Sequence, residues 1–470
     1  MKIGIVGGGT GGLVTALILK ARFSNFKIDI IKSDKIGIIG VGEGTTEHWQ
    51  EFMNYCGISL KELLDETGAT FKYGVMFEGW TKKKYFHNVI SDFSNIKYGQ
   101  YLGGYAYAIK NKLNSNQYTD ASCFKNKINP ISLPNQYHFD TYKLNAFLLK
   151  KCKERNIKII EDEIINIEIN KNNIDNIKSK KKIYKYDLYI DSTGFKRLLI
   201  SKLNSKWISY KKYLPLNEAI AFQTKDTTEY NPYTLAKAMK AGWMWRIPTQ
   251  GRWGNGYVFD NKYINAEEAK KECEDYLKIK INIGKNIKFE AGTLDKVWIG
   301  NCLAIGLSSS FIEPMEASSI GCTIQQAFIL MHCLPNYKSN IEFYNNRFKE
   351  LIENIRDFVV IHYLVDKKDT EFWKRKVDLP NSLEKNLKKW SSRLPINEDF
   401  KTKYSLFQEA NFAIILKELN LTHKDLITKE FNSLNIDIQR DIKQKVLNYI
   451  KIEHKSMGHK EGLQLIRNSL

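Results

Sequence analysis

At 470 residues, 43% hydrophobic and 12% aromatic, the chain can bury a large core spread over two or three structural units, which excludes an intrinsically disordered protein. No apolar run nears the length of a membrane helix and no cleavable leader opens the chain, so a soluble, cytoplasmic protein with no membrane partner is expected. The net charge of +20 comes from lysines scattered among Ile and Asn, and the seven cysteines and eight histidines show no ligand spacing, so no nucleic-acid stripe, disulfide framework or metal site is expected.

Met1 to Val6 reads as a short buried strand that runs into Gly7-Gly8-Gly9-Thr10-Gly11-Gly12 and then into a helix from Leu13 to Leu19. Gly7-x-Gly9-x-x-Gly12 between a strand and a helix is a dinucleotide fingerprint. The first glycine allows the tight turn, the second lets backbone approach a pyrophosphate, and the third packs helix on strand. The next strand, Lys27 to Ile31, ends where an acid for the ribose is usual, and there the chain has Lys32 followed by Ser33 and Asp34. Ribose recognition is therefore assigned to a neighbour or to backbone.

Ile38 to Thr46, with three glycines in Gly40-Val41-Gly42-Glu43-Gly44, reads as a loop able to lie against something flat or anionic. Glu47 to Lys72 reads as helical, and Tyr73 to Leu133 as short strands and loops of a substrate layer. A helix is expected over Thr141–Arg155, then a β run from Lys158 to Ile169, with Lys180-Lys181-Lys182 as a solvated hairpin tip and a strand from Tyr186 to Ile190. Asn217 to Phe259 is β-like and includes Trp243-Met244-Trp245-Arg246-Ile247-Pro248. Val297 to Gly306 is expected as one last core strand, followed by Phe311-Ile312-Glu313-Pro314-Met315-Glu316 and a helix from about Ser318. From Leu330 onward helical periodicity dominates, broken by a lysine-rich connection from Pro380 to Leu394, and no internal repeat is visible.

Several of these segments, in order, resemble the flavin-dependent tryptophan halogenase family. They are Gly7-x-Gly9-x-x-Gly12, Gly40-Val41-Gly42-Glu43, Phe71-Lys72, Tyr137-His138-Phe139-Asp140, Trp243-x-Trp245-x-Ile247-Pro248, Phe311 to Glu316 and Arg356-Asp357-Phe358. The tryptophan pair before Ile-Pro is the most specific of them. The resemblance implies an α/β fold with α+β insertions: an FAD-binding, Rossmann-like domain of the aromatic-hydroxylase type over residues 1–330, with an interleaved substrate β-sheet at about 73–135 and 205–295. A helical substrate-side domain over 331–470 completes it.

The same resemblance implies a halogenase of natural-product biosynthesis that turns FADH2, oxygen and halide, chloride or bromide, into hypohalous acid and directs it onto an electron-rich arene. Lys72 matches the catalytic lysine, preceding the Phe-x-x-Trp of Phe77-Glu78-Gly79-Trp80, and Glu316 matches the assisting carboxylate. The backbone of Ser318 and Ser319 would hold the halide at a helix start. Gly7, Gly9, Thr10, Gly11, Gly12, Val41, Glu43, Ile164, Leu307 and Ile320 would hold the flavin, and Trp243, Trp245, Ile247 and Pro248 would keep the substrate away from it.

A separate flavin reductase is implied as the source of reduced FAD, since no second Gly-x-Gly-x-x-Gly follows a strand, and a homodimer is compatible with it. Phe407-Gln408-Glu409-Ala410-Asn411-Phe412 replaces the tryptophan-bearing signature of the family, so the expected arene is not free tryptophan. Two other functions fit parts of the chain: a flavin aromatic monooxygenase, which usually has Gly-Asp where Gly306-Leu307 stands, and a basic nucleic-acid-binding protein on a flavoprotein scaffold.

Overall fold

The computed structural model describes residues 1–35, 37, 43–88, 92–130, 133–451 and 456–470. Two units emerge from the pattern of internal packing, each assembled from three separated stretches. One comprises residues 1–69, 139–214 and 290–352; the other comprises 70–138, 215–289 and 353–470. The interleaved sheet segments thus group with the C-terminal helices.

The first unit is built on a six-stranded sheet in the order Trp298–Ile299, Cys302–Ala304, Leu188–Asp191, Lys2–Val6, Lys27–Lys32, Lys158–Glu161. All neighbours are parallel except the antiparallel edge pair of Trp298–Ile299 with Cys302–Ala304. Parallel strands buried on both faces need near-continuous apolar sequence, and Ile3, Ile5, Ile30, Leu188 and Ile190 are fully buried. The helices Thr10–Arg22, Thr141–Glu154 and Ser318–Cys333 pack in this unit.

The second unit holds a seven-stranded sheet in the order Lys285–Lys288, Glu218–Lys225, Arg252–Phe259, Gly242–Thr249, Thr234–Met239, Val75–Glu78, Tyr85–His87. It is antiparallel except where Thr234–Met239 runs parallel to Val75–Glu78. The C-terminal helices, among them Asn381–Trp390, Glu409–Glu418 and Ile436–Lys451, belong to the same unit.

The local expectations fail where tertiary partners override periodicity. Glu47 to Lys72 is two helices, His48–Cys56 and Leu60–Glu66, and then the strand Thr70–Lys72. Gly57, left-handed at φ 59°, stops the first helix, and Ser59 opens the second with a reciprocal capping box to Glu62. Between residues 73 and 133 lie helices as well as strands, Gly103–Lys110 being the longest. The β run from Lys158 is two strands in two sheets: Lys158–Glu161 ends its parallel ladder with the Asp162 N–H on the Lys32 carbonyl at 2.9 Å, and Ile164–Asn170 pairs with Asn173–Ser179 instead. Val297 to Gly306 is a tight hairpin, Trp298–Ile299 against Cys302–Ala304, turned at left-handed Gly300. The lysine-rich connection contains the amphipathic helix Asn381–Trp390, anchored by buried Leu383 and Trp390.

Candidate functional site

In the first unit the glycine loop has the shape its sequence predicts. Gly7 sits at φ +115°, and a Cβ there would stand 2.1 Å from the Ser192 carbonyl oxygen. A Cβ on Gly12 would stand 2.4 Å from the Gly7 oxygen, whereas one on Gly9 would meet nothing within 4 Å. The loop is thus closed against its own strand and open at Gly9. Helix Thr10–Arg22 begins there with no side-chain cap and no acidic residue in its first turn, leaving its N–H donors and positive dipole end for an anion. Asn145 steadies the loop by donating to the Gly8 carbonyl at 2.8 Å.

Two other segments close on Gly11. A Cβ at that position would lie 3.5 Å from both Ser192 Oγ and Thr323 Cγ2, and 3.9 Å from Gly306 Cα. Half-buried Leu307 follows in the turn Gly306–Ser308, and Ile320 is buried in the helix that carries Thr323. Gln326 was not singled out by sequence; its Oε1 accepts from the Gly306 N–H at 3.1 Å and from Ser309 Oγ at 3.2 Å, and so builds this turn. Asp191 does the same for the adjoining strand end, accepting from the N–H groups of Thr193, Leu199 and Ile200 and from Ser308 Oγ. A buried carboxylate or amide at a strand end is visible in sequence, but the donors that meet it are not.

Lys32 lies along Gly8 and pairs its ammonium with Asp34, whose carboxyl is held below the usual range chiefly by that hydrogen bond. Glu43 is half-buried overall, yet its Oε2 is sealed from solvent without a partner among the described residues, and burial pushes its carboxyl up to about 7. An uncapped helix start, an open glycine and a sealed carboxylate oxygen awaiting a donor fit a diphosphate carrying sugar hydroxyls, as FAD does. Ile164 is half-buried at the start of the strand Ile164–Asn170, and Val41 lies outside the described residues.

Glu316 is buried at the end of Glu313-Pro314-Met315-Glu316, in the same unit. Glu316 (φ 63°, ψ 10°) and Ala317 (φ 54°, ψ 36°) are both left-handed, a conformation that costs a non-glycine residue about 1–2 kcal/mol. The doubled turn delivers the chain into helix Ser318–Cys333, whose N-cap, Ala317, offers no side-chain bond. Ser318 is buried and Ser319 exposed, and the first N–H groups of a sixteen-residue helix start here.

The remaining predicted residues belong to the second unit. Lys72 ends the strand Thr70–Lys72, paired antiparallel with Gln136–Phe139 so that Thr70 faces His138 and Lys72 faces Gln136. It is 1% exposed, among lysines that are mostly solvated. By strand alternation Thr70 and Lys72 share one face and Phe71 takes the other.

Hydrogen bonding fixes the tautomer of His138. Thr70 Oγ1 donates to the Pro248 carbonyl at 2.7 Å, so its one proton is committed, and His138 Nδ1 at 3.4 Å must donate to it. Nε2 then accepts from Thr234 Oγ1 at 2.9 Å. Burial, with added repulsion from Lys72 and His459, keeps this imidazole neutral, well below its ordinary pKa.

Trp243 and Trp245 project from one face of the strand Gly242–Thr249, centroids 6.3 Å apart, both at most 8% exposed. A Cβ on Gly256 of the adjacent strand would stand 2.1 Å from the Trp245 ring, so that glycine is the floor on which the indole lies. Ile247 and Pro248 continue the strand and are buried.

A family model described as tryptophan halogenase matches residues 2–428. The chain belongs to the tryptophan halogenase family. It is a flavin-dependent halogenase, an oxidoreductase that uses FADH2 and halide, which decides between the halogenase and monooxygenase readings of its glycine loop. Among curated family members it is 29% identical over 445 residues to the 7-chloro-L-tryptophan 6-halogenase KtzR of Kutzneria sp. (strain 744), covering 84% of this chain and 86% of that one. It is 27% identical over 457 residues to the tryptophan 6-halogenase SttH of Streptomyces toxytricini, covering 85% of each. The SttH crystal structure superposes with a TM-score of 0.83 at 26% identity, over 98% of this chain and 99% of that one. A tryptophan halogenase from Shewanella frigidimarina NCIMB 400 shares the fold at TM-score 0.88 and 23% identity, over 100% of this chain and 98% of that one. Among the described residues no helix is long and apolar enough to cross a membrane.

Proposed function

We propose that this halogenase places hypohalous acid at Lys72 and transfers its halogen to an electron-rich arene of indole, phenol or pyrrole type other than free tryptophan. The observation that carries the reading is a lysine buried to 1% exposure at the end of a strand whose alignment is set by side-chain hydrogen bonds. The Gly7 to Gly12 loop, Glu43, Leu307 and Ile320 would hold FADH2, which together with oxygen would supply the oxidising power for converting halide to hypohalous acid.

The N–H groups of Ser318 and Ser319 hold the halide, favoured by the helix dipole and independent of side-chain identity. The Lys72 ammonium hydrogen-bonds hypohalous acid, or its neutral amine exchanges a proton for halogen and releases water. Halogen then adds to the ring, and the displaced ring proton leaves to the Glu316 carboxylate. Trp243, Trp245, Ile247 and Pro248 are barriers between substrate and flavin. Reduced FAD comes from a separate reductase, and the cytoplasm is where both enzymes would meet.

The segment Phe407 to Phe412 supports an arene other than free tryptophan. Phe407 stacks on Phe358 at 3.9 Å and Phe412 meets the same ring edge-on at 4.9 Å, so both are spent on the core. KtzR and SttH, by contrast, are named for tryptophan substrates.

The test combines the enzyme, chemically reduced FAD, oxygen and each halide with a panel of arenes that includes free tryptophan. Halogenated product only with halide, and with an arene other than tryptophan preferred, is expected. Lys72→Ala should abolish ring halogenation and leave consumption of reduced FAD in place. Parental halogenation by that variant would remove the lysine from the mechanism, and a preference for tryptophan would overturn the substrate reading.

A further inference from the structure

The strand that carries Lys72 has two edges. One pairs with Gln136–Phe139; on the other, the N–H of Tyr73 reaches the Pro232 carbonyl at 2.8 Å. The N–H of Phe71 lies on this second edge too, and it is buried. Its acceptor is not a strand but the imidazole of His459, with Nε2 at 3.1 Å. A buried N–H left without an acceptor costs about 1–3 kcal/mol, so the imidazole stands in for a missing neighbouring strand.

The ring is held from every side. A backbone N–H can only donate, so Nε2 carries the lone pair and the proton sits on Nδ1, facing the Asn231 carbonyl at 3.3 Å. His459 is fully buried, stacked over Phe71 at 6.0 Å and 13°, with Tyr230 edge-on at 5.9 Å. Its helix, His459–Ser469, enters along a fixed path, because Met457–Gly458 pairs with Lys127–Ile128 and Glu229 Oε1 accepts the Lys460 N–H at 2.9 Å. Ile128 packs so closely on Gly462 that a Cβ there would stand 2.5 Å from its Cδ1.

We propose that His459 is a positioning residue for halogenation: by accepting the Phe71 N–H and clamping the Phe71 ring, it fixes the rotation of the strand and thereby the aim of the Lys72 side chain. The inference rests on the reading of Lys72 given above. With Phe71 clamped on one face and Thr70 tied to Pro248 on the other, the strand cannot roll about its axis, and an ammonium that must meet a small oxidant tolerates little displacement. His459 touches neither oxidant nor arene in this role. It lies beyond residue 428, where the family model ends.

Three variants test it: His459→Leu, which removes the acceptor, His459→Gln, whose Oε1 can replace Nε2, and Lys72→Ala. Each is assayed for halogenated arene, for KM of the arene, for hypohalous acid caught by a soluble β-diketone scavenger, and for thermal unfolding. His459→Leu should lose about tenfold to a hundredfold in kcat with KM unchanged, while the scavenger catches correspondingly more hypohalous acid per FADH2 consumed. His459→Gln should restore most of kcat and close the leak.

The proposal is overturned if His459→Leu keeps the parental kcat and leak. It is equally overturned if kcat, KM and oxidant production collapse together and Gln restores none of them, the mark of a purely structural residue. Failure of the underlying reading is separate: Lys72→Ala would then halogenate at the parental rate, and the positioning role would fall with it.

Discussion

The Thr70 hydroxyl donates to the Pro248 carbonyl at 2.7 Å, tying the strand of the buried lysine to the end of the strand that presents Trp243 and Trp245. The same oxygen accepts from His138, so it is the link between the imidazole and Pro248 in a chain that runs from Thr234 through His138 and Thr70 to Pro248. Thr70→Val keeps the shape but leaves the Pro248 carbonyl and the His138 Nδ1–H without partners. A loss of about 1–3 kcal/mol is expected, read as a lower urea midpoint with an unchanged m-value. An unshifted midpoint would show that the chain contributes nothing to folding.

Glu316 and Ala317 separate stability from function. Ala317→Gly relieves a left-handed alanine and should raise stability by up to about 1 kcal/mol with halogenation retained. Glu316→Gln keeps the backbone and volume but removes the base, so kcat should fall by about 10²–10⁴ with the unfolding midpoint little changed. Equal kcat for Glu316→Gln and parent would take the proton-accepting role away from this carboxylate.

Gly256 is required by the Trp245 indole. Gly256→Ala would press its methyl into the ring and toward the Ile220 carbonyl, which stands 2.6 Å from the ideal Cβ. Destabilisation of about 1–3 kcal/mol and a shifted tryptophan emission are expected, with Trp245→Ala in the same chain recovering part of the loss. Recovery should be incomplete, because the backbone carbonyl does not move with the indole.

Glu43 predicts a pH dependence of stability. Its folded pKa, about 7, lies above the ordinary carboxyl value of 4.5, so the folded chain holds the proton more tightly. Stability therefore declines through this group as pH rises from about 4.5 past 7, and Glu43→Gln removes the decline. Denaturant titrations at pH 5 and pH 8 should show the variant gaining on the parent at pH 8. A bound flavin that donates a hydroxyl to the carboxylate should narrow that gap.

Much of the cofactor half was legible because its signals are local. Gly7 to Gly12 between an apolar strand and an apolar helix leaves few alternatives, and the run Phe311 to Glu316 announces a turn before a helix. Lys72 is singled out by its neighbours Phe71 and Phe77-Glu78-Gly79-Trp80, and the structure buries it, yet the sequence reads its strand as helix, since Leu60, Leu63 and Leu64 keep a helical rhythm until Thr67 and Gly68 end it. The partners that hold the strand were beyond reach. Pro248 is 178 positions from Thr70, and nothing in the local composition around His459 distinguishes a strand's missing acceptor from a core imidazole. The way separated stretches of the chain group into units is hidden from the sequence for the same reason, as long-range sheet pairing leaves no trace in local pattern.

The bond from Phe71 to His459 joins residues 388 apart in sequence. The lysine strand therefore acquires its last backbone acceptor only after residue 459 has been synthesised, so its final setting is a late event in folding. It also makes the helix His459–Ser469 part of the frame of a strand in the first hundred residues, so loosening that helix should be felt at Lys72.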